Sequence, residues 1–582
     1  MERRKEGVTG SAVPDSRGIN LYAADPAFAP LLKYYLGEKL FSHLAPHFER
    51  MGELAGGELD RLAALADKHP PVLHPRTRSG EDRAAIERHP AYRELEQVAF
   101  ADYGLAAMSH RGGVLGWPDA LPPAAKYALT YLFVQAEFGL CCPLSMTDSL
   151  TRTLAKFGAP ELTARYLPAL TATDLEQLTQ GAMFITEQGA GSDVGGVTTM
   201  AREQDGEWKL YGEKWFCSNV DVGLAMVLAR PQGAAAGTGG LALFLLPREL
   251  GDGRPNHYRV LRLKDKLGSR SMPSGEIRLE GATAYLVGEA GRGFAQMTDM
   301  INMSRLSNGV RAAGMMRRAL TEALFVARRR TAFGRRLIEM PLMQRQLMKL
   351  MLPAEQARSM VLFAAGLLAQ ADSGDAAARK LIRIVTPLIK FRACRDARKA
   401  TGDAMEVRGG CGYIEEWPDA RLLRDAHLGS IWEGTSNIVA LDVMRAVRRE
   451  AAGTALAEAL ASRIRALKQM PASFRSLLDS TLRHAMKFAD DAATGKGGGD
   501  GGGAEVLARQ AASALYHVTS AVVMAQEAEA LTGDVRRLLL AQLVLEQRLL
   551  PRDPLLAGDS AREAAFAAAL LSEAPMAAQT IV

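Results

Sequence analysis

No uninterrupted apolar run in this 582-residue chain approaches the ~20 residues that cross a bilayer, so a membrane-spanning role is not expected. Cysteine is scarce. There are five, Cys141, Cys142, Cys217, Cys394 and Cys411, and only the first two are close together. Adjacent cysteines make a poor staple and none of the spacings is that of a zinc site, so reduced thiols and no metal are expected. An excess of either charge is also missing: 71 Lys and Arg stand against 65 Asp and Glu, which does not by itself indicate nucleic acid. The polar start, Met1 to Gly18, lacks the apolar segment of a secretory signal, so a soluble, cytoplasmic protein is expected. The alternating βαβ rhythm of a Rossmann fold is absent as well.

What is present is helix, sheet, helix and helix again, too long for one structural unit. Residues 1–18 are expected to be disordered. From 19 to 179 the pattern is mostly helical, with breaks expected at Pro46 and Gly56-Gly57. Between 180 and 290 short apolar or alternating runs are separated by Gly, Pro and Asn; Ile277 and Leu279 alternate with Glu276, Arg278 and Glu280, the period of a half-buried strand. Long Leu-, Met-, Ala- and Arg-rich helices over 291–449 suit a bundle. Residues 450–582 are a further helical region, rich in Ala and Leu and interrupted by the Gly-rich run 495–503. That run contains GxGxxG, but no strand precedes it, so it reads as a flexible linker. The helix after it, "GAEVLARQAASALYHVTSAVVMAQEAEAL", carries an apolar stripe that must be buried, most simply in its own bundle.

Five stretches could carry chemistry, and each has a plainer alternative. "MFITEQGAGSDV" (183–194) is a loop at a sheet edge, or a turn whose backbone N–H groups and hydroxyls meet a ligand. "GEKWFCSN" (212–219) is a strand with its Trp in the core, or an aromatic beside a hydroxyl that stacks on a flat heterocycle. "ARRRTAFGRR" (327–336) is a solvated basic face complementing a helix C-terminus, or a pyrophosphate clamp. "AMEVRGGCGY" (404–413) contains a Gly-rich turn and leads into the fifth stretch, "SIWEGTSNIV" (430–439). There Glu433 either favours the start of the next helix, capped by Ser or Asn, or is a general base held in a cleft.

In this order and at these separations, "TEQGAGSD", "KWFCSN", "DKLGSRSMPSGEI", "RTAFG", "GGCGY" and "WEGTSN" together resemble the acyl-CoA dehydrogenase family over roughly residues 90–450. A narrower resemblance, carried by "NLYAADPAF", "LKDKLGSRS", "AMEV", "IWEGTSNIVALDVMR" and the C-terminal helical region, is to the AidB branch. The family resemblance implies an N-terminal helical domain, a middle β-barrel and a C-terminal four-helix bundle, here with an extra helical region, and a homotetramer with FAD between the domains. It implies that Ile185, Thr186, Gly191 and Ser192 contact flavin and pyrophosphate, and that Phe216 and Ser218 meet the isoalloxazine. Arg330, with Phe333 beside it, takes the place of the arginine that reaches a neighbouring subunit's pyrophosphate. Gly410, Thr435 and Asn437 fall in the cofactor-binding motifs, the last two toward the adenine. Pro341 and Glu406 stand where relatives often carry Gln.

The resemblance also implies a reaction. Glu433 would remove the α-proton of an acyl-CoA while the β-hydrogen leaves as hydride to flavin N5. A minority of the family places its base on the helix after the barrel; Ser304 stands there, and serine cannot serve. Electron-transferring flavoprotein is the acceptor the family implies. The branch implies an alternative: a flavoprotein that binds DNA in the response to alkylation, with little or no turnover. Residues 450–582 hold 13 Lys and Arg against 15 Asp and Glu, so this region is not basic overall, although Arg445, Arg448, Arg449 and Arg536-Arg537 form local clusters.

Overall fold

The computed structural model describes residues 13–495 and 503–575. The Gly-rich run from 496 to 502 lies outside the described residues, as do 1–12. The expectation of disorder through residue 18 does not hold for its last part. Gly18 N donates to Gly56 O at 2.7 Å, and the buried Ser16 donates its hydroxyl to Glu322 at 2.5 Å.

The N-terminal region is a layer of helices: α1 (Phe28–Leu36), α2 (Glu38–Gly56), α3 (Glu58–Lys68), α4 (Pro90–Glu96), α5 (Pro123–Phe133), α6 (Cys141–Phe157) and α7 (Pro160–Leu170). A hairpin of β1 (Val72–Arg76) and β2 (Asp82–Glu87) interrupts it, which the helical pattern did not foretell. Pro46 does not break α2, which runs through it to Gly56; the break falls at Gly57. Gly52 and Gly56 let the segment 18–22 lie directly on α2, for a Cβ at Gly56 would sit 1.7 Å from the carbonyl oxygen of Ile19.

The sheet closes on itself. Its strands are β3 (Gly181–Phe184), β4 (Met200–Gln204), β5 (Glu207–Ser218), β6 (Leu224–Pro231), β7 (Ala242–Pro247), β8 (Tyr258–Leu263) and β9 (Ser274–Val287). β4 pairs β5, β5 pairs β9, β9 pairs β7, β7 pairs β6 and β6 returns to β4, so these five have no free edge. Phe184, Leu210, Cys217, Val227, Phe244, Ile277 and Leu279 fill the interior. The β5–β9 register slips between Lys214 and Cys217, a bulge that holds Trp215 and Phe216.

The bundle is formed by α8 (Gly293–Arg329), α9 (Pro341–Asp372), α10 (Ala376–Arg408) and α12 (Ser436–Arg449), with α11 (Pro418–Leu428) beside α10. Pro341 occupies the first turn of α9, where its missing N–H costs nothing. The C-terminal helices are α13 (Ala452–Ala466), α14 (Ala472–Thr494), α15 (Gly503–Ala530), α16 (Arg536–Val544) and α17 (Ser560–Leu570). The stripe of α15, which includes Leu515, Val518, Val522 and Ala525, is buried against α14 and also against α9, α10 and α12 of the main bundle. Gln356 on α9 donates to Ser520 on α15 at 2.7 Å, and Ser359 to Glu527 at 2.7 Å. The extension is therefore continuous with the bundle core.

Candidate active site

Glu433 lies in the turn between α11 and α12 with φ +55°, followed by Gly434 at +97°. A non-glycine residue there costs roughly 1–2 kcal/mol, so something must hold it. Two cations from the bundle do: Arg305 Nε on α8 donates to the Glu433 carbonyl at 3.1 Å, and Lys390 Nζ on α10 to the Gly434 carbonyl at 2.7 Å. Asp442 anchors Arg305 at 2.7 Å. The capping part of the helix-start reading fails on geometry. The N-cap of α12 is Thr435, without a side-chain cap bond, so neither Ser436 nor Asn437 caps it, and no described hydrogen bond runs from an α12 N–H to Glu433.

Burial pushes the Glu433 carboxyl above its ordinary value, against the opposing pull of Ser304, Arg305, Lys390 and Arg311. The Ser304 hydroxyl faces the carboxylate without completing a hydrogen bond. Burial also lowers the Lys390 ammonium to about 8. Trp432 stacks on Phe138 at 5.8 Å and donates its indole N–H to Asn308 at 2.5 Å.

The β-domain brings a second wall. The Cys142 thiol on α6 lies beside the Ser218 hydroxyl and within the field of Glu433, which links the end of β5 to the carboxylate. The bulge turns the Phe216 ring outward, 56% exposed, with Lys264 Nζ 4.6 Å from its centroid. Ile185 and Thr186 run beside it, half-buried, and Trp215 N donates to Thr186 O at 2.8 Å. Behind them Lys214 donates to Glu187 at 2.8 Å and to Ile185 O at 3.2 Å. Glu187 also accepts from Thr198 and Thr199, and although burial opposes it these partners hold its carboxyl down at about 2. Gly191 and Ser192 follow on the exposed part of the loop. Ile185, Thr186, Phe216, Ser218 and Glu433 are thus gathered in one region, with Thr435 and Asn437 exposed on its rim.

Arg330, Phe333 and Gly410 are elsewhere. Arg330 caps the far end of α8, 26 residues from Ser304 and so about 39 Å along the helix axis. Its Nη1 donates to Arg408 O at 2.9 Å, beside the Gly409-Gly410 turn. Phe333 and Gly334, both at positive φ, form a two-residue turn between β10 (Thr331–Ala332) and β11 (Arg335–Arg336). That turn holds the Phe333 ring 96% exposed.

Phe138, Cys142, Asn308, Arg311 and Lys390 escaped the sequence reading. Three polar residues of α8, Ser304, Asn308 and Arg311, follow helical spacing inside an apolar stretch, a legible signal. The Arg536-Arg537 cluster lines a cavity together with Arg317, Arg328 and Arg329. Both side chains are buried, Arg536 against Asp534 and Arg537 against Glu355 at 2.9 Å. Among the described residues no cluster could hold a metal ion, and no helix is long and apolar enough to cross a membrane.

This combination of helical layer, closed barrel, four-helix bundle and carboxylate turn matches known proteins across the chain. Residues 11–177 match the adaptive response protein AidB N-terminal domain, 182–282 the acyl-CoA dehydrogenase middle domain and 291–448 the acyl-CoA dehydrogenase C-terminal domain. AidB of Escherichia coli K12 is 34% identical over 446 residues, 74% of this chain and 79% of that protein. The chain therefore belongs to the acyl-CoA dehydrogenase family, with an AidB-type N-terminal domain. The structure of Caenorhabditis elegans ACDH-11 in complex with C11-CoA superposes with a TM-score of 0.85 at 26% identity, over 94% of each chain. A Bacillus anthracis acyl-CoA dehydrogenase complexed with FAD shares the fold, with a TM-score of 0.65 at 19% identity over 90% of this chain and 85% of that one.

Proposed function

We propose that this protein is an FAD-dependent oxidoreductase that dehydrogenates an acyl-CoA thioester between Cα and Cβ, with Glu433 as general base. The observation that carries the reading is the Glu433 carboxyl, raised by burial, at the meeting of α8, α10 and the end of β5. An elevated carboxylate pKa brings a general base closer to working pH. The two cations on its own and the next carbonyl fix the turn, so the carboxylate is positioned before substrate arrives.

The residues suit FAD. Phe216 offers an exposed π-face, Ser218 and Thr186 offer hydroxyls, and Gly191 and Gly410 leave open space where a side chain would begin. When bound, FAD supplies an oxidant able to accept the β-hydrogen as hydride. Ile185, Thr186, Gly191, Ser192, Phe216 and Ser218 hold the flavin and pyrophosphate side, and Thr435 and Asn437 the adenine side. Arg330, Phe333 and Gly410 lie too far along α8 to serve that same cofactor, so they serve the FAD of a neighbouring copy in a homotetramer. Phe333, 96% exposed at the tip of its turn, is free to make such a contact. Electron-transferring flavoprotein is the proposed acceptor.

The test is anaerobic bleaching of the bound flavin by a series of acyl-CoAs, with Glu433→Gln beside the wild type. Bleaching in the wild type and its loss in the variant are expected. A protein that holds FAD yet is bleached by no thioester would overturn the reading.

A further inference from the structure

Four of the largest fully buried side chains are arginines: Arg311, Arg318, Arg358 and Arg408. Three are matched by acids. Arg318 meets Glu322 and Asp60, Arg358 meets Asp25 and Glu355, and Arg408 meets Glu322 and Asp419. Arg311 is 1% exposed, and among the described residues it forms no salt bridge; Glu433 feels its charge without pairing with it. Its Nε donates only to Ser307 O of its own helix, at 3.3 Å, and its Nη1 has no hydrogen-bond partner.

A buried guanidinium without an acid is costly, and proteins rarely keep one. The rings beside it, Trp432 at 4.8 Å and Phe138 at 5.6 Å, offset only part of that cost. The neighbouring thiols of Cys141, Cys142 and Cys394 do not supply a negative charge, because burial raises all three. Arg311 stands three residues beyond Asn308 and seven beyond Ser304, on one face of α8. The Asn308 Nδ2 and the Ser304 Oγ are likewise buried without partners. Ser304 faces the Glu433 carboxylate, so two groups, on Asn308 and Arg311, are left unmet on the face of α8 that runs from Glu433 past the Trp432 ring. An all-alkyl chain beside them would leave both unmet.

We infer that the preferred substrate is an acyl-CoA whose acyl group ends in a carboxylate, with Arg311 as the residue that selects it. The inference rests on the dehydrogenase reading of the site. The substrate's ω-carboxylate takes the guanidinium's free N–H groups in a charge-assisted pair, and the Asn308 amide donates beside it. A neutral chain of equal length gains no such pair, so the preference comes from the bond the carboxylate makes.

Matched thioesters test this: glutaryl-CoA against pentanoyl-CoA and adipoyl-CoA against hexanoyl-CoA. Binding is measured by calorimetry on the FAD-loaded protein, and flavin bleaching is recorded separately. The carboxylated partner of each pair is expected to bind about 10- to 100-fold more tightly. Arg311→Met should abolish that preference, and Arg311→Lys, which keeps the charge, should retain part of it. Equal or tighter binding of the neutral thioesters by the wild type, with Arg311→Met unchanged, overturns the inference, even where those thioesters bleach the flavin. Tight binding of the carboxylated thioesters without bleaching by any compound supports Arg311 as the selector and overturns the dehydrogenase reading instead. Binding of none of the four overturns the inference and leaves the dehydrogenase reading to the wider acyl-CoA series. Melting temperatures of both variants identify a folding failure, and Arg311→Lys then carries the test.

Discussion

Two buried polar regions share the helix α8 and are built on opposite terms. Toward its C-terminal half, Glu322 accepts from Ser16, Arg318 and Arg408; Arg408 reaches Asp419 on α11; and Asp60 on α3 meets Arg318 and Arg421. This network joins the N-terminal segment, α3, α8, α10 and α11, and its members answer one another. Some eleven residues earlier on the same helix, Asn308 and Arg311 stand near the Glu433 turn with groups that nothing in the described chain completes. The first region is largely satisfied, Arg421 Nη1 being an exception, while the second leaves a guanidinium and an amide unmet beside the candidate base.

The sharpest way to break the comparison is Glu433→Gln. If the unfinished region is catalytic, flavin reduction by acyl-CoA should fall by about 10²- to 10⁴-fold, measured by anaerobic stopped flow. Next comes the finished region. Arg408→Met leaves Glu322 and Asp419 buried with one partner fewer, and should cost ~3–5 kcal/mol in urea unfolding. Arg311→Met sharpens the contrast, because it removes an arginine of equal burial that forms no salt bridge, with Glu433 as its more distant carboxylate neighbour. Its unfolding free energy should stay level or rise by ~1–4 kcal/mol. A loss comparable to that of Arg408→Met would show the two regions to be alike.

A smaller effect follows from the elevated Glu433 carboxyl. The folded protein holds this proton more tightly than the unfolded chain. That contribution is complete below the ordinary carboxylate range and is lost as pH rises through the elevated value. At neutral pH the ionised, desolvated carboxylate is therefore a burden, and Glu433→Gln should melt above the wild type. The gap should close as pH falls below the ordinary carboxylate range, as thermal melts across pH would record. The smallest effect belongs to Phe333→Ala. Exposed at its turn, Phe333 should leave protomer stability within about 0.5 kcal/mol, while FAD retention and oligomer size by light scattering should fall.

Much of the fold was legible because period and punctuation are local properties. The alternation at Ile277 and Leu279 marks β9, and the Leu- and Met-rich spacing marks the bundle helices. The Phe333-Gly334 turn was not read from the sequence, since only Gly334 suits a positive φ. Glu433 was singled out for its place between Trp432 and Gly434. What stayed hidden depends on distant residues. Pro46 reads locally as a break, yet packing carries α2 through it. Arg536-Arg537 reads as a basic cluster, yet Asp534 and Glu355 neutralise it. The helix-start reading of Glu433 stood beside the base reading, and the cations of α8 and α10 that hold its turn could not be placed from the sequence.

By itself, then, the chain determined its element types and order and its family motifs, because helix periodicity, strand alternation and turn chemistry act over a few residues. Only the tertiary structure decided which charges are answered. Whether Arg311 or Arg318 finds an acid depends on elements far away in sequence, since burial and pairing are properties of the space around a side chain.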